Sequence, residues 1–152
     1  MKKSILFIAV VSIALAAFTL PGSKKTAATA TVKAPAVTGG IKFSKMRMEK
    51  AMSEAKASKK MIFIDVHTTW CGPCKEMART TFQSEEVGKL FNKKFINLKI
   101  DAENDPDGKD ITKTFGVTGY PTLLFLNADG KLVRKLAGKQ SEEKLLSIAK
   151  EL

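Results

Sequence analysis

Cysteine and histidine are nearly absent from this chain: two cysteines and one histidine in 152 residues. With no second cysteine pair, and with His67 as the sole histidine, this set cannot supply the four protein ligands of a structural zinc site. No cysteine lies near residue 20, which argues against a lipid-anchored lipoprotein. Acidic residues are missing altogether from residues 1–40, which carry five lysines. No internal repeat is present. No nucleic-acid motif is present either, and the basic residues are scattered rather than interleaved with aromatics.

The N-terminal 40 residues read as two non-globular pieces. Lys2 and Lys3 precede an uncharged apolar run from Ile5 to Leu20, with small residues at Ala14, Ala16 and Ala17. This is the pattern of a secretory signal peptide over residues 1–20. An uncleaved anchor stays open, because the run lies between an ordinary signal core and a full membrane span. Residues 21–40 are rich in Lys, Thr, Ala, Pro and Gly and cannot bury enough apolar surface to order themselves, so they form a flexible linker. Export places the rest of the chain in an oxidising compartment. The formal net charge of +11 is partly located here, since the five lysines supply +5 and residues 41–152 hold 21 basic against 15 acidic side chains, or +6. The remaining excess is read as solubility rather than as a partner-binding patch. Residues 41–152 suit one domain with one core.

What the chain does have is both cysteines three apart, in Trp70-Cys71-Gly72-Pro73-Cys74-Lys75. The apolar run Met61-Ile62-Phe63-Ile64-Asp65-Val66 leads in, and a helical pattern over 75–81 leads out. A strand turning straight into a helix places Cys71 at the helix N-terminus, where unpaired N–H groups and the macrodipole favour a thiolate. Cys74 follows one turn later, close enough to form a disulfide. Pro73 is tolerated in the first turn. Buried structural cysteines have no reason to flank Gly-Pro at such a junction. A merely structural disulfide over so short a loop stabilises little. The pattern points to thiol–disulfide redox chemistry without a metal or organic cofactor.

The remaining elements follow from periodicity and punctuation. Ser44 reads as an N-cap, with Phe43 and Met48 as a hydrophobic staple and a helix ending near Ser58. Met61–His67 reads as a buried central strand. Its Asp65 is either a proton acceptor for Cys74 or a strand-end carboxylate turned to solvent. Ser84-Glu85-Glu86 opens a helix, and 95–100 forms a strand ending at Asp101. Asp105-Pro106-Asp107-Gly108 is a turn, and 110–115 is a short helix stopped by Gly116. Residues 123–126 and 131–137 pair as a hairpin about Asn127-Ala128-Asp129-Gly130. Ser141 caps a last amphipathic helix. The order is α-β-α-α-β-α-β-β-α, an α/β chain with a mixed sheet between helices.

On Trp70-Cys71-Gly72-Pro73-Cys74-Lys75, Asp65 six residues earlier, Gly119-Tyr120-Pro121-Thr122 and Gly138, residues 44–152 resemble the thioredoxin family. They are similar as well to thioredoxin-like domains of periplasmic reductases, which carry the same Thr81-Phe82 and a comparable Phe-Ile-Asn-Leu strand. The resemblance implies a thioredoxin fold and a protein-disulfide reductase. Cys71 would attack the substrate disulfide, Cys74 would resolve the mixed disulfide, and Asp65 would assist deprotonation of Cys74. Pro121 would be cis, and Trp70, Gly72, Pro73, Tyr120 and Pro121 would receive the substrate chain. Partners would be protein disulfides or dithiols and a membrane electron donor, with the chain a monomer and without nucleic acid. Two departures stand out. His67 occupies a position where the best-known members carry tryptophan, and Asn97 stands where a lysine often neighbours the buried acid, with Lys99 as the alternative. An oxidase or isomerase of the same fold, or a non-catalytic client-binding module, are the competing readings.

Overall fold

The computed structural model describes residues 39–152, so the expected signal segment and residues 21–38 of the expected linker lie outside the described residues. Nine regular elements follow one another: α1 (Met48–Ser58), β1 (Met61–His67), α2 (Gly72–Arg79), α3 (Glu85–Lys94), β2 (Phe95–Asp101), α4 (Gly108–Thr114), β3 (Thr122–Leu126), β4 (Leu132–Ala137) and α5 (Glu142–Glu151). Their order is the one the periodicity predicts. The sheet runs β2-β1-β3-β4, with β1 and β2 parallel and the other two pairs antiparallel. No described helix is long and apolar enough to cross a membrane.

The alternation of β1 explains the layering. Side chains two apart share a sheet face. Ile62, Ile64 and Val66 pack with Ala51 and Ala55 of α1 and Ile111 of α4. Phe63 points the other way, into a cluster with Met77 of α2, Val87 and Phe91 of α3, and Leu145, Ile148 and Ala149 of α5. Both faces are covered, which is why β1 reads as a nearly unbroken apolar run. Phe63 is the hub of an aromatic cluster, with ring centroids 4.8 Å from Phe91 and 5.0 Å from Phe125.

Capping fixes the helix ends. Ser84 Oγ accepts the Val87 N–H and Ser141 Oγ accepts the Lys144 N–H, as the sequence predicts for α3 and α5. Gly88 lets the chain approach α3 closely, since a Cβ there would lie 1.8 Å from the Gly39 carbonyl oxygen.

The start of α1 differs from expectation. Ser44 does not cap it. Residues around Ser44 run beside β2 instead, with a parallel bridge to Leu98 and the Ser44 N–H donating to the Asn97 carbonyl at 2.8 Å. The helix begins four residues later and is capped from a distance: Asp107 Oδ2 accepts the Met48 N–H at 2.8 Å, while Oδ1 accepts Arg47 Nε at 2.7 Å. Phe43 and Met48 consequently join opposite clusters, so the staple does not form. Pairing with the sheet edge satisfies backbone groups that a longer helix would have had to satisfy alone.

Candidate active site

The dithiol sits where β1 ends and α2 begins. Cys71 has extended backbone (φ −71°, ψ 108°) and is the N-cap of α2, its Sγ accepting the Cys74 N–H at 3.2 Å. A sulfur in this place meets the first free N–H of the helix and the positive end of its dipole, the environment that lowers a thiol pKa. Cys71 and Cys74 are joined as a disulfide with Cα atoms 5.3 Å apart. They are only 3% and 2% exposed. The rim around them is open: a Cβ built on Gly72 or Gly119 meets no atom within 4 Å.

The remaining predicted residues fall into two groups. Trp70 stands out at 65% exposed beside the disulfide. Its ring meets Tyr120 edge-on at 5.8 Å between centroids, and its Nε1–H donates to Glu103 Oε1 at 3.1 Å. The Tyr120–Pro121 peptide is cis. Pro121 is tied to β4 by its carbonyl, which accepts the Gly138 N–H at 2.8 Å, and the Thr122 hydroxyl donates to the Gly119 carbonyl at 2.7 Å. Gly72 and Pro73 are exposed between the two cysteines, and Trp70, which precedes Cys71, carries Tyr120 against its ring.

Asp65 lies behind this face. It is 0% exposed, and neither carboxylate oxygen has a hydrogen-bond partner. The solvent-facing alternative is therefore excluded by its burial. Asp65 shares its sheet face with Phe63, the face α2 covers through Met77, and Cys74 lies one turn before Met77 on the buried side of that helix. Burial pushes the Asp65 carboxyl above the usual carboxylate range, against the charges of Lys99 and His67, which pull it down.

The lysine question resolves in favour of Lys99. In the parallel register Asp65 stands opposite Lys99, and Lys99 Nζ lies 3.6 Å from Asp65 Oδ2. The ammonium also sits 5.8 Å from the centroid of the Phe43 ring. Asn97 is instead buried in a polar contact, its Nδ2 donating to Asn92 Oδ1 at 3.1 Å. His67 Nδ1 lies 3.0 Å from the Ile100 carbonyl. Asp101, opposite His67, is pushed up by burial. Hydrogen bonds from Asn104 Nδ2 and from the Glu103 and Asn104 N–H groups, with the His67 charge, outweigh this and hold it below the usual range. Sequence reasoning did not find Glu103; its only signal was an acid two residues past a strand end. Among the described residues no group of three His, Cys, Asp or Glu side chains is placed to hold a metal.

Comparison with known proteins agrees with this geometry. The thioredoxin-like domain profile matches residues 48–152. The chain is 32% identical over 102 residues to the thiol:disulfide interchange protein DsbD of Vibrio cholerae, covering 65% of this chain but 17% of that protein. It is 33% identical over 99 residues to thioredoxin H4 of Arabidopsis thaliana, covering 65% of this chain and 77% of the relative. A solved structure of a candidate disulphide-isomerase from Bacteroides thetaiotaomicron superposes with a TM-score of 0.66 at 39% identity, covering 74% of this chain and 92% of that one.

Proposed function

This chain belongs to the thioredoxin-like family, and on that premise we propose that it is an exported thiol–disulfide oxidoreductase that reduces protein disulfides. The observation that carries the reading is the Cys71–Cys74 pair at the N-terminus of α2, with exposed Trp70 and Gly72 beside it in the chain. Reduced Cys71, as thiolate, attacks one sulfur of the substrate disulfide. A Cys71–substrate bond forms, and the first substrate thiolate leaves. Cys74 gives its proton to Asp65, attacks Cys71 Sγ and releases the second substrate thiolate. Two electrons have passed to the substrate, and the protein is left as the disulfide. A membrane electron donor restores the dithiol outside the cytoplasm, where the surroundings would otherwise keep the pair oxidised. The N-terminal 20 residues direct export and residues 21–40 act as the linker. The chain works as a monomer.

The reading is tested by mixing the reduced chain with a disulfide-bonded peptide. Turnover with a dithiol donor is expected, Cys71→Ser should abolish it, and Cys74→Ser should accumulate a mixed disulfide with the peptide. A Cys71→Ser variant that still turns over, or a Cys74→Ser variant that traps nothing, contradicts it. An isomerase is the second reading, favoured by the likeness to the Bacteroides protein. An isomerase would reshuffle a scrambled substrate to its native pairing with no donor present.

A further inference from the structure

Disulfide exchange on this fold needs two parts of the chain at a fixed separation. One is the Tyr120–Pro121 loop before β3, where the substrate chain docks. The other is α2, which carries Cys74 and is capped by Cys71. A misplacement of about 1 Å between reacting groups can cost about 10²-fold in rate. α2 is a short element of eight residues, and its backbone leaves helical geometry at Thr80 (φ −121°, ψ −90°). The connection 138–140, between β4 and α5, is bonded to both parts.

On one side, the Gly138 N–H donates to the Pro121 carbonyl at 2.8 Å. On the other, Gln140 meets α2 and the turn that follows it. Its backbone N–H donates to Met77 Sδ at 3.5 Å, and its carbonyl accepts the Thr81 hydroxyl at 3.3 Å. Met77 is fully buried and lies one turn after Cys74. Lys139 Nζ also pairs with Glu76 Oε1 at 2.8 Å, but both groups are exposed, so this tie is weak. The side chain of Gln140 braces the connection between its two attachments. Its Nε2 donates to the Ala137 carbonyl at 3.1 Å and to the Gly138 carbonyl at 3.0 Å. A side-chain amide suits this task, because one nitrogen carries two donors for two successive carbonyls. Gly138 stands at φ +78°, a conformation glycine adopts without steric cost and leaves as easily. A turn built on so free a residue needs a further restraint, and Gln140 supplies it.

We propose that Gln140 is a positioning residue that sets the separation between the Pro121 docking loop and the dithiol helix α2. This role rests on the reductase reading above. Gln140 transfers no proton or electron. By holding the 138–140 connection in one shape, it keeps the Gly138–Pro121 bond and the Met77 and Thr81 contacts satisfied together. A substrate chain seated at Pro121 then meets Cys71 without first having to order the loop, and that saving appears as affinity. Without the side chain, the connection is held only at its ends and the docking loop samples more positions against α2. The loss falls on substrates that dock at Pro121. It spares a small disulfide that reaches Cys71 without docking.

The test uses the full chain and Gln140→Leu, which keeps the bulk of the side chain and removes both donors. For an uncharged disulfide-bonded peptide, KM should rise about fivefold while kcat changes by less than about twofold. The rate with a small aromatic disulfide should stay within about twofold of wild type. Gln140→Lys returns donors to the site, as Lys135 Nζ already serves the successive carbonyls of Phe115 and Gly116. It should bring the peptide KM back to within about twofold of wild type. An unchanged peptide KM in Gln140→Leu, an equal loss with both substrates, or no recovery in Gln140→Lys overturns the role. Amide exchange gives a readout independent of turnover. The Gly138 N–H should exchange about tenfold faster in Gln140→Leu, well beyond any change at amides in the centre of β1. Unaltered exchange at Gly138, or equal acceleration throughout the sheet, also overturns it. Selective acceleration at Gly138 in a chain that reduces neither disulfide supports the brace and counts against the reductase reading instead.

Discussion

Replacing Asp65 by leucine should make this protein more stable and a poorer catalyst. The carboxylate is sealed from solvent with both oxygens lacking a hydrogen-bond donor. Its ion-pair partner, Lys99 Nζ at 3.6 Å, is worth about 4–5 kcal/mol at an effective dielectric constant of about 20. Desolvating a buried carboxylate costs several kcal/mol, and the partially buried ammonium adds to that cost. The raised carboxyl pKa says that the cost wins. An apolar side chain of similar volume removes the penalty, and the freed Lys99 can extend to water. The expected gain at pH 8 is about 1–4 kcal/mol, read as a higher urea midpoint at unchanged slope. The sign with pH follows from the direction of the shift. Between the ordinary carboxylate value and its raised folded value, the native protein holds a proton that the unfolded chain has lost, so wild-type stability falls as pH rises through that window. Asp65→Leu should lack this fall, and its advantage should shrink at pH 5. The same variant should slow release of the resolved substrate at pH 7 while still forming the mixed disulfide. A leucine variant that is less stable than wild type at pH 8 would refute the reasoning, because the Asp65–Lys99 pair would then be a net stabiliser.

Asp107→Ala removes the remote cap of α1 and should cost about 1 kcal/mol at pH 7. Burial would raise this carboxyl, but Arg47 and the Met48 N–H outweigh it and hold it low. Its stabilisation is therefore present above the unfolded value and lost as pH falls through the folded one, and urea titrations should show the two proteins converging in acid. Phe63→Ala opens the centre of the aromatic cluster and should cost about 3–5 kcal/mol in the same assay; a loss under 1 kcal/mol would mean that the neighbouring rings collapse into the space. Glu103→Ala frees the Trp70 indole N–H, which is already at the surface, so stability should hardly change. The KM for a peptide disulfide should rise two- to fivefold, about 0.4–1 kcal/mol, and an unchanged KM would remove Glu103 from the docking face.

The features legible in the sequence are those encoded over a few residues. The Cys71–Cys74 spacing, the alternation through β1, the Ser84 and Ser141 caps and the Asn127–Gly130 turn each need only neighbours along the chain, and each is found in its expected place. What escaped depends on residues far apart. The cap of α1 comes from Asp107, so Ser44, a locally plausible cap, lost to a partner that only the folded chain supplies. The pairing of Asp65 with Lys99 rather than with position 97 is set by the β1–β2 register, which periodicity does not give. Glu103 reaches Trp70 across 33 positions for the same reason.

The most direct test of the account is the reduction potential of the Cys71–Cys74 pair, measured on the full chain by equilibration in defined thiol/disulfide buffers. Reduction of substrates requires a value near that of thioredoxin, roughly −270 mV. A value between roughly −180 and −120 mV would contradict it, because a pair so poised takes electrons from its clients.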